Sequence, residues 1–307
     1  MHLPDGFISI PVAVTTGILS GGVLFISFKQ SLTSERYKHA SILGLTTAFI
    51  FSAQMINFPV IAGTSGHLLG GGLAGILLGN PWSAIQSIST VLIIQAVLFA
   101  DGGITALGAN ILNMGIISVW ISWLLTKTLH RLMGGSKKYL PIAGGFGAGI
   151  SVIGTSIACG IQLALSGTSN INLVLPAIAG IHLFIGLGEG VITWSILSFL
   201  VKVRPDLLPG EEKKFHSFLI PIVLIFFLSG ILSLFASAYP DGLETVAESL
   251  GFSRTVNSSL INIETPFSKY EINGLGDIGK SITGLLGSFI CFFMAFNISK
   301  ILKYKDA

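Results

Sequence analysis

Nine apolar runs divide the chain, at 7–28, 40–62, 67–79, 82–100, 104–126, 140–166, 173–201, 218–238 and 280–302. About 20 apolar residues cross a bilayer as a helix, and in lipid each backbone polar group must be bonded within the protein. The runs therefore predict an all-α polytopic membrane protein with about nine transmembrane helices. Composition agrees: 51% of the 307 residues are hydrophobic and only 10% charged, which excludes an ordinary soluble domain. No nucleic-acid partner is expected; the bilayer is. Cys159 and Cys291 sit inside apolar runs and read as packing residues rather than a disulfide or metal pair.

Charge placement tests the third run, which is short. With nine crossings and the N-terminus outside, only Arg254, Lys269 and Lys280 of the 17 lysines and arginines fall outside. That bias follows the positive-inside rule, and removing the third run would scatter the basic loops over both faces. The run is expected to cross, leaving the C-terminus cytoplasmic. Ahead of the first run stands only Asp5, with Lys29, Arg36 and Lys38 after it, so the segment reads as a retained helix rather than a signal peptide. The acids Asp5, Asp101, Asp241, Glu244, Glu248, Glu264, Glu271 and Asp277 gather outside, and most read as solvated loop residues.

A polar linker at 202–217 separates a seven-helix domain, 1–201, from a two-helix domain, 218–307, whose external loop spans 239–279. Within that loop Leu243, Val246, Ala247 and Leu250 share one face of a predicted short helix, with Gly251 as its stop.

The candidate chemistry lies at the chain start. In Met1-His2 the α-amine, the deprotonated His2 backbone nitrogen and His2 Nδ1 form two fused chelate rings, three nitrogens roughly in a plane. Ni(II) and Cu(II) favour that geometry, and a second imidazole closes the fourth corner. A lone dipeptide of this kind is usually accidental; topology strengthens it by placing His67, at the outer end of the third run, on the same face. The bulky His2 is expected to block removal of Met1. An isolated buried histidine ordinarily satisfies itself by a hydrogen bond, so His67 is weighed against that alternative. The amides Gln54, Asn57, Gln95, Asn110 and Asn113 read as glue between helices, one or two of them free to orient His67 through its second ring nitrogen. Glu189 is the only acid within a run and shares a helix face with His182; an intramembrane carboxylate suggests coupling, proton relay, helix packing or a partner contact.

Four ordered motifs carry a resemblance: Met1-His2-Leu3-Pro4-Asp5-Gly6-Phe7, Gly63-Thr64-Ser65-Gly66-His67-Leu68-Leu69-Gly70-Gly71, the stretch from Phe99 through Asp101-Gly102-Gly103 to Asn110, and His182 to Thr193. Together they resemble the substrate-capture component of energy-coupling-factor nickel/cobalt transporters. Pro240-Asp241-Gly242-Leu243-Glu244 resembles the small accessory membrane subunit of those systems, so the chain looks like a fusion of the two. The resemblance implies a site made of Met1, His2 and His67 holding one transported Ni(II) or Co(II), with no prosthetic group. It further implies a prokaryotic cell-membrane transport component, not an enzyme, working with a separate transmembrane coupling subunit and cytoplasmic ATPases. No Walker A sequence is read in the chain. Pro4-Asp5 resembles the nickel branch more than the cobalt branch, and four planar nitrogens suit Ni(II) better. An ion-coupled secondary transporter using Glu189 and an intramembrane metalloenzyme are the rival readings; no H-E-x-x-H pattern supports the latter.

Overall fold

A computed structural model describes residues 1–32, 40–61, 63–208, 219–253 and 265–304. Residues 209–217 of the expected linker, and the basic residues Arg36, Lys38, Lys213, Lys214, Arg254 and Lys305, lie outside them. The described chain is helical: α1 (Ile10–Leu32), α2 (Ala40–Gln54), α3 (Gly71–Leu78), α4 (Pro81–Phe99), α5 (Leu107–Asn110), α6 (Ser118–Leu132), α7 (Leu140–Leu165), α8 (Ile171–Val203), α9 (Leu219–Gly230), α10 (Gly242–Ser249) and α11 (Gly276–Tyr304). Two short strands, β1 (Phe58–Pro59) and β2 (Ser65–Gly66), pair antiparallel. Between α5 and α6 the helix widens into a π turn at Ile111–Ile117.

Among the described residues, six helices are long and apolar enough to cross a membrane: Ile10–Gln30, Pro81–Phe99, Leu107–Leu132, Lys137–Leu165, Ile171–Val203 and Gly276–Lys300. Ala40–Gln54 and Leu219–Phe235 are apolar but shorter. The third run departs most from expectation. It is helical only over the 8 residues of α3, and His67 precedes that helix rather than heading it. Gly66 lies in β2 and Gly70 precedes α3, so these two glycines, four apart, share no helix face. Non-helical backbone is tolerated here because protein surrounds it: α3 packs against α2, α4, α6 and α7.

Local sequence explains the helix ends. Asn80 accepts the Trp82 N–H ahead of Pro81 and so starts α4, while Asp241 and Glu244 form a reciprocal capping box on α10. As expected, Leu243, Val246 and Ala247 of α10 are buried and Gly251 follows its end with a positive φ. Helices α7 and α8 approach backbone to backbone. A Cβ on Gly145 would lie 2.7 Å from the Gly190 carbonyl oxygen, and one on Gly186 2.6 Å from that of Gly149. Only hydrogen at these positions allows the crossing.

The chain start, the end of α4, the start of α5 and the end of α7 meet at one level of the bundle, joined by bonds from Gly103 N to Leu3 O and from Thr168 Oγ1 to Phe7 O. Lys29, Lys127, Arg131, Lys137, Lys138, Lys202 and Arg204 sit at the opposite helix ends. The two cysteines are free and buried, as expected of packing residues.

Candidate metal centre

Residues 1–7 form a strap anchored by the buried Met1, Leu3 and Phe7. Leu3 N–H donates to Asn110 Oδ1 at 2.8 Å, and Leu3 O accepts from Asn110 Nδ2 at 3.0 Å and from Gly103 N at 2.8 Å. Asp5 accepts from Ile104 N at 3.2 Å and from Thr105 N at 2.7 Å. Each such bond contributes about 1 kcal/mol net, so the strap is fixed immediately after His2, at Leu3 and Asp5.

His67 is set by an independent device. Its segment leaves β2 and turns into α3 at Gly70, whose φ of 78° belongs to the left-handed region that glycine enters freely. Glu189, about 27 Å along α8 from Ile171 at the helical rise, accepts from Leu69 N at 2.6 Å and Gly70 N at 2.9 Å. Gln54 Nε2 donates to Leu69 O at 2.8 Å. The carboxylate thus meets free N–H groups at the start of a short helix, the favoured place for an anion.

The two devices converge. The Met1 amine lies 2.7 Å from His67 Nε2, and the His2 and His67 rings stack with centroids 4.9 Å apart. His67 Nδ1 donates to Leu68 O at 3.1 Å, leaving the Nε2 lone pair facing the amine. Adjacent corners of a square of nitrogens bonded to a metal at about 2.0 Å are about 2.8 Å apart, close to the observed spacing. Among the described residues no cluster of three or more His, Cys, Asp or Glu side chains is placed to hold a metal. A site here draws on the amine and backbone nitrogen as well as imidazoles.

Two carboxylates face these nitrogens. Asp241 Oδ2 accepts from the Met1 ammonium at 2.8 Å, and Asp101 Oδ1 lies 3.2 Å from His2 Nδ1. Burial pushes the Asp241 carboxyl up, but the Met1 ammonium, His67 and hydrogen bonds outweigh it and hold the group well below the usual carboxylate range. Burial holds the His2 imidazole below its ordinary value, with Asp101 opposing. Asp241 arrives from the second part of the chain, docked on the hairpin edge through Ser65 N to Pro240 O at 2.8 Å and Ser65 Oγ to Tyr239 O at 2.8 Å.

Met1, His2 and His67 are therefore brought together. Gln95 reaches His2 Nε2 at 3.1 Å and Asn110 grips Leu3, whereas Gln54 and Glu189 act two and three residues beyond His67. The expectation that an amide orients His67 is corrected: the Leu68 carbonyl takes its second nitrogen. Asn57 contributes its backbone carbonyl to Ser237 N, Asn113 pairs with Gln162, and His182 Nδ1 donates to Ile178 O. Three residues escaped the sequence reading: Asp101, Asp241 and Tyr270, whose hydroxyl donates to Asp101 Oδ2 at 2.7 Å. The glycines after Asp101 and Asp241 were a usable signal, marking acids on tight turns; Tyr270 has none.

The absence of a Walker A string is also corrected. Gly274-Leu275-Gly276-Asp277-Ile278-Gly279-Lys280-Ser281 spells the pattern. Its context is wrong for phosphate: no strand leads into it over residues 265–273, it opens the apolar helix α11, Lys280 pairs with Asp277 at 3.7 Å, and Ser281 Oγ donates to Gly230 O.

Residues 2–207 match the family described as cobalt uptake substrate-specific transmembrane region, and residues 215–304 match the PDGLE domain. A putative fused nickel transport protein NikMN of Archaeoglobus fulgidus is 33% identical over 307 residues, covering 98% of each chain. The fused nickel transport protein NikMN of Rhodobacter capsulatus is 31% identical over 68% of this chain and 64% of its own length. A cobalt transport protein CbiM of Thermosediminibacter oceani is 32% identical over 65% of this chain and 84% of its own. A solved structure described as a truncated transition metal transporter superposes with a TM-score of 0.58 at 30% identity, covering 66% of this chain and 99% of that one.

Proposed function

The chain belongs to the cobalt uptake substrate-specific transmembrane family, fused to a PDGLE domain, and from that premise we propose that it captures Ni(II) and carries it across the membrane. It is a multi-pass membrane protein of a prokaryotic family. Co(II) is the second substrate, favoured by the cobalt-transport relatives. Nickel is preferred because the fused relatives are named for nickel and because a planar set of nitrogens suits Ni(II) better than Co(II).

The observation that carries the reading is the 2.7 Å approach of the Met1 amine to His67 Nε2 beside the stacked His2 ring. The ligands are the Met1 amine, the His2 backbone nitrogen and Nδ1, and His67 Nε2. Binding removes protons from the amine and the amide, and Asp241 exchanges an ammonium partner for the bound cation. The site faces outward and the C-terminus inward, in keeping with basic residues at the opposite helix ends. Residues 1–201 form the capture domain, 202–217 a cytoplasmic linker, and 218–307 the accessory domain with its external loop at 239–279; the two family matches, 2–207 and 215–304, part within the linker and support this division.

Translocation is driven by a separate coupling subunit and cytoplasmic ATPases, a reading that rests on the family resemblance. The rival coupling through Glu189 is disfavoured, since both of its oxygens are engaged by backbone amides. The test is nickel accumulation in cells expressing the chain with its coupling subunit and either active or hydrolysis-dead ATPases. Uptake should collapse with the dead ATPases. Full uptake that instead follows the proton or sodium gradient would replace this reading with secondary transport.

A further inference from the structure

We propose that His182 is a transient ligand beneath α10, which the ion touches on its way into the centre and leaves before it is bound; this deepens the capture reading and rests on it. The observation is a buried lone pair with nothing to meet. His182 is fully buried, and its Nδ1 donates to Ile178 O at 2.8 Å. A carbonyl can only accept, so Nδ1 carries the ring proton. Among the described residues no carboxylate bonds the ring to hold a buried charge, and Nε2 has no hydrogen-bond partner. The lone pair of the neutral ring therefore sits on Nε2, unused. Native proteins keep few such atoms, because an unpaired buried acceptor lowers stability.

His67 is prepared in the same way. Its Nδ1 donates to a backbone carbonyl, Leu68 O, and its Nε2 faces the Met1 amine. A ring N–H fixed on a backbone carbonyl is the usual support of an imidazole that binds metal. His67 and His182 are thus two imidazoles with Nε2 presented, and only His67 is in the centre.

The position of His182 suits passage. A Cβ on Gly242 would lie 2.9 Å from His182 Cε1, so the ring sits under the first residue of α10. The residue before it, Asp241, accepts from the Met1 ammonium at 2.8 Å. The centre is closed, with Met1 4% and His67 5% exposed, and two partly exposed carboxylates, Asp241 and Asp101, mark where solvent reaches it. His182 stands beside the first of these. Thr245, three residues after Gly242 and so on the same side of α10, brings a second buried polar atom without a partner among the described residues, its Oγ1. An imidazole nitrogen, a hydroxyl and a carboxylate edge suit a partly hydrated divalent ion but hold it less well than four nitrogens. In passage the ion exchanges one water of its hydration shell for His182 Nε2, and gives Nε2 up as Met1, His2 and His67 close around it.

A ligand used only in passage has a kinetic signature. It lowers one barrier that entry and exit share, so its removal slows both by the same factor and leaves their ratio, the Kd, unchanged. Two variants of the purified full chain test this. His182→Phe keeps a ring without nitrogens, and His182→Asn keeps a donor for Ile178 O while losing Nε2. Stopped-flow mixing with nickel chloride reads loading, and a chase of the loaded chain with excess EDTA reads release. Both variants should load and release Ni(II) about tenfold more slowly, with Kd within about twofold of wild type. His182→Phe should melt no lower than wild type, since it removes an unpaired buried acceptor. Wild-type rates in either folded variant would overturn the proposal. So would a weaker Kd at an unchanged loading rate, which would put His182 in the bound centre, or slowing that only tracks a lower melting temperature. Failure of the capture reading looks different: wild type itself would then show no nickel binding that His67→Ala abolishes.

Discussion

His67 Nε2 and the Met1 amine, 66 positions apart in sequence, lie 2.7 Å from one another. Besides the hydrogen bond between them, each has its own anchor. The amine is placed by the strap that Asn110 and Gly103 grip at Leu3, the imidazole by a turn that Glu189 ties at Leu69 and Gly70. Two separately anchored donors at the spacing of adjacent metal ligands are what preorganisation requires: the protein bears the ordering cost before the ion arrives.

Asn110→Ala removes both bonds between that side chain and the Leu3 backbone and leaves a buried N–H without a partner. The cost is about 1–3 kcal/mol, and since the strap carries three of the four proposed ligand nitrogens it should appear as a nickel affinity weaker by roughly tenfold or more. Far-ultraviolet circular dichroism should show the helices intact. Unchanged affinity would mean that the strap's anchoring does not prepare the site.

Glu189→Gln turns one of two acceptors into a donor facing a backbone N–H. We expect a lower melting temperature, by an amount corresponding to about 1–3 kcal/mol, and a modest loss of nickel affinity through the His67 segment. A variant that melts and binds as wild type yet no longer transports would assign Glu189 to ion coupling instead.

Nickel affinity should rise with pH. Ligation removes protons from the Met1 ammonium and the His2 amide, whereas burial lowers the His2 imidazole below its ordinary value and so favours the neutral ring. The imidazole adds a third proton only below its ordinary value of about 6.5. Between pH 7 and 8 the gain is therefore bounded at about a hundredfold, two protons' worth. Titrations at both pH values check this, and a flat profile would contradict ligation by the amine and amide.

Much of the centre was legible in the sequence because its parts are local or sit on strong patterns. Met1 and His2 are adjacent, and charge asymmetry between loops brought His67 to their side. Hydropathy, however, reports what a segment may contact and not how its backbone bonds. The stretch 67–79 is as apolar as a helix, yet Gly70 breaks it and protein rather than lipid surrounds it, so an extended piece carrying His67 is stable. Asp101 and Asp241 looked like solvated loop acids because their partners are an amine and an imidazole far away in sequence. The Walker A string shows the converse, since residues 274–281 match a pattern whose physics needs a preceding strand.

The central claim is that the chain's own first amine is a ligand. Calorimetric titration of the intact chain with Ni(II), beside His2→Ala, His67→Ala and a version carrying one extra residue ahead of Met1, tests it most directly. The account predicts one ion per chain and a loss of at least about a hundredfold in affinity in all three altered chains. An extended chain that binds Ni(II) as tightly as the native one would contradict it.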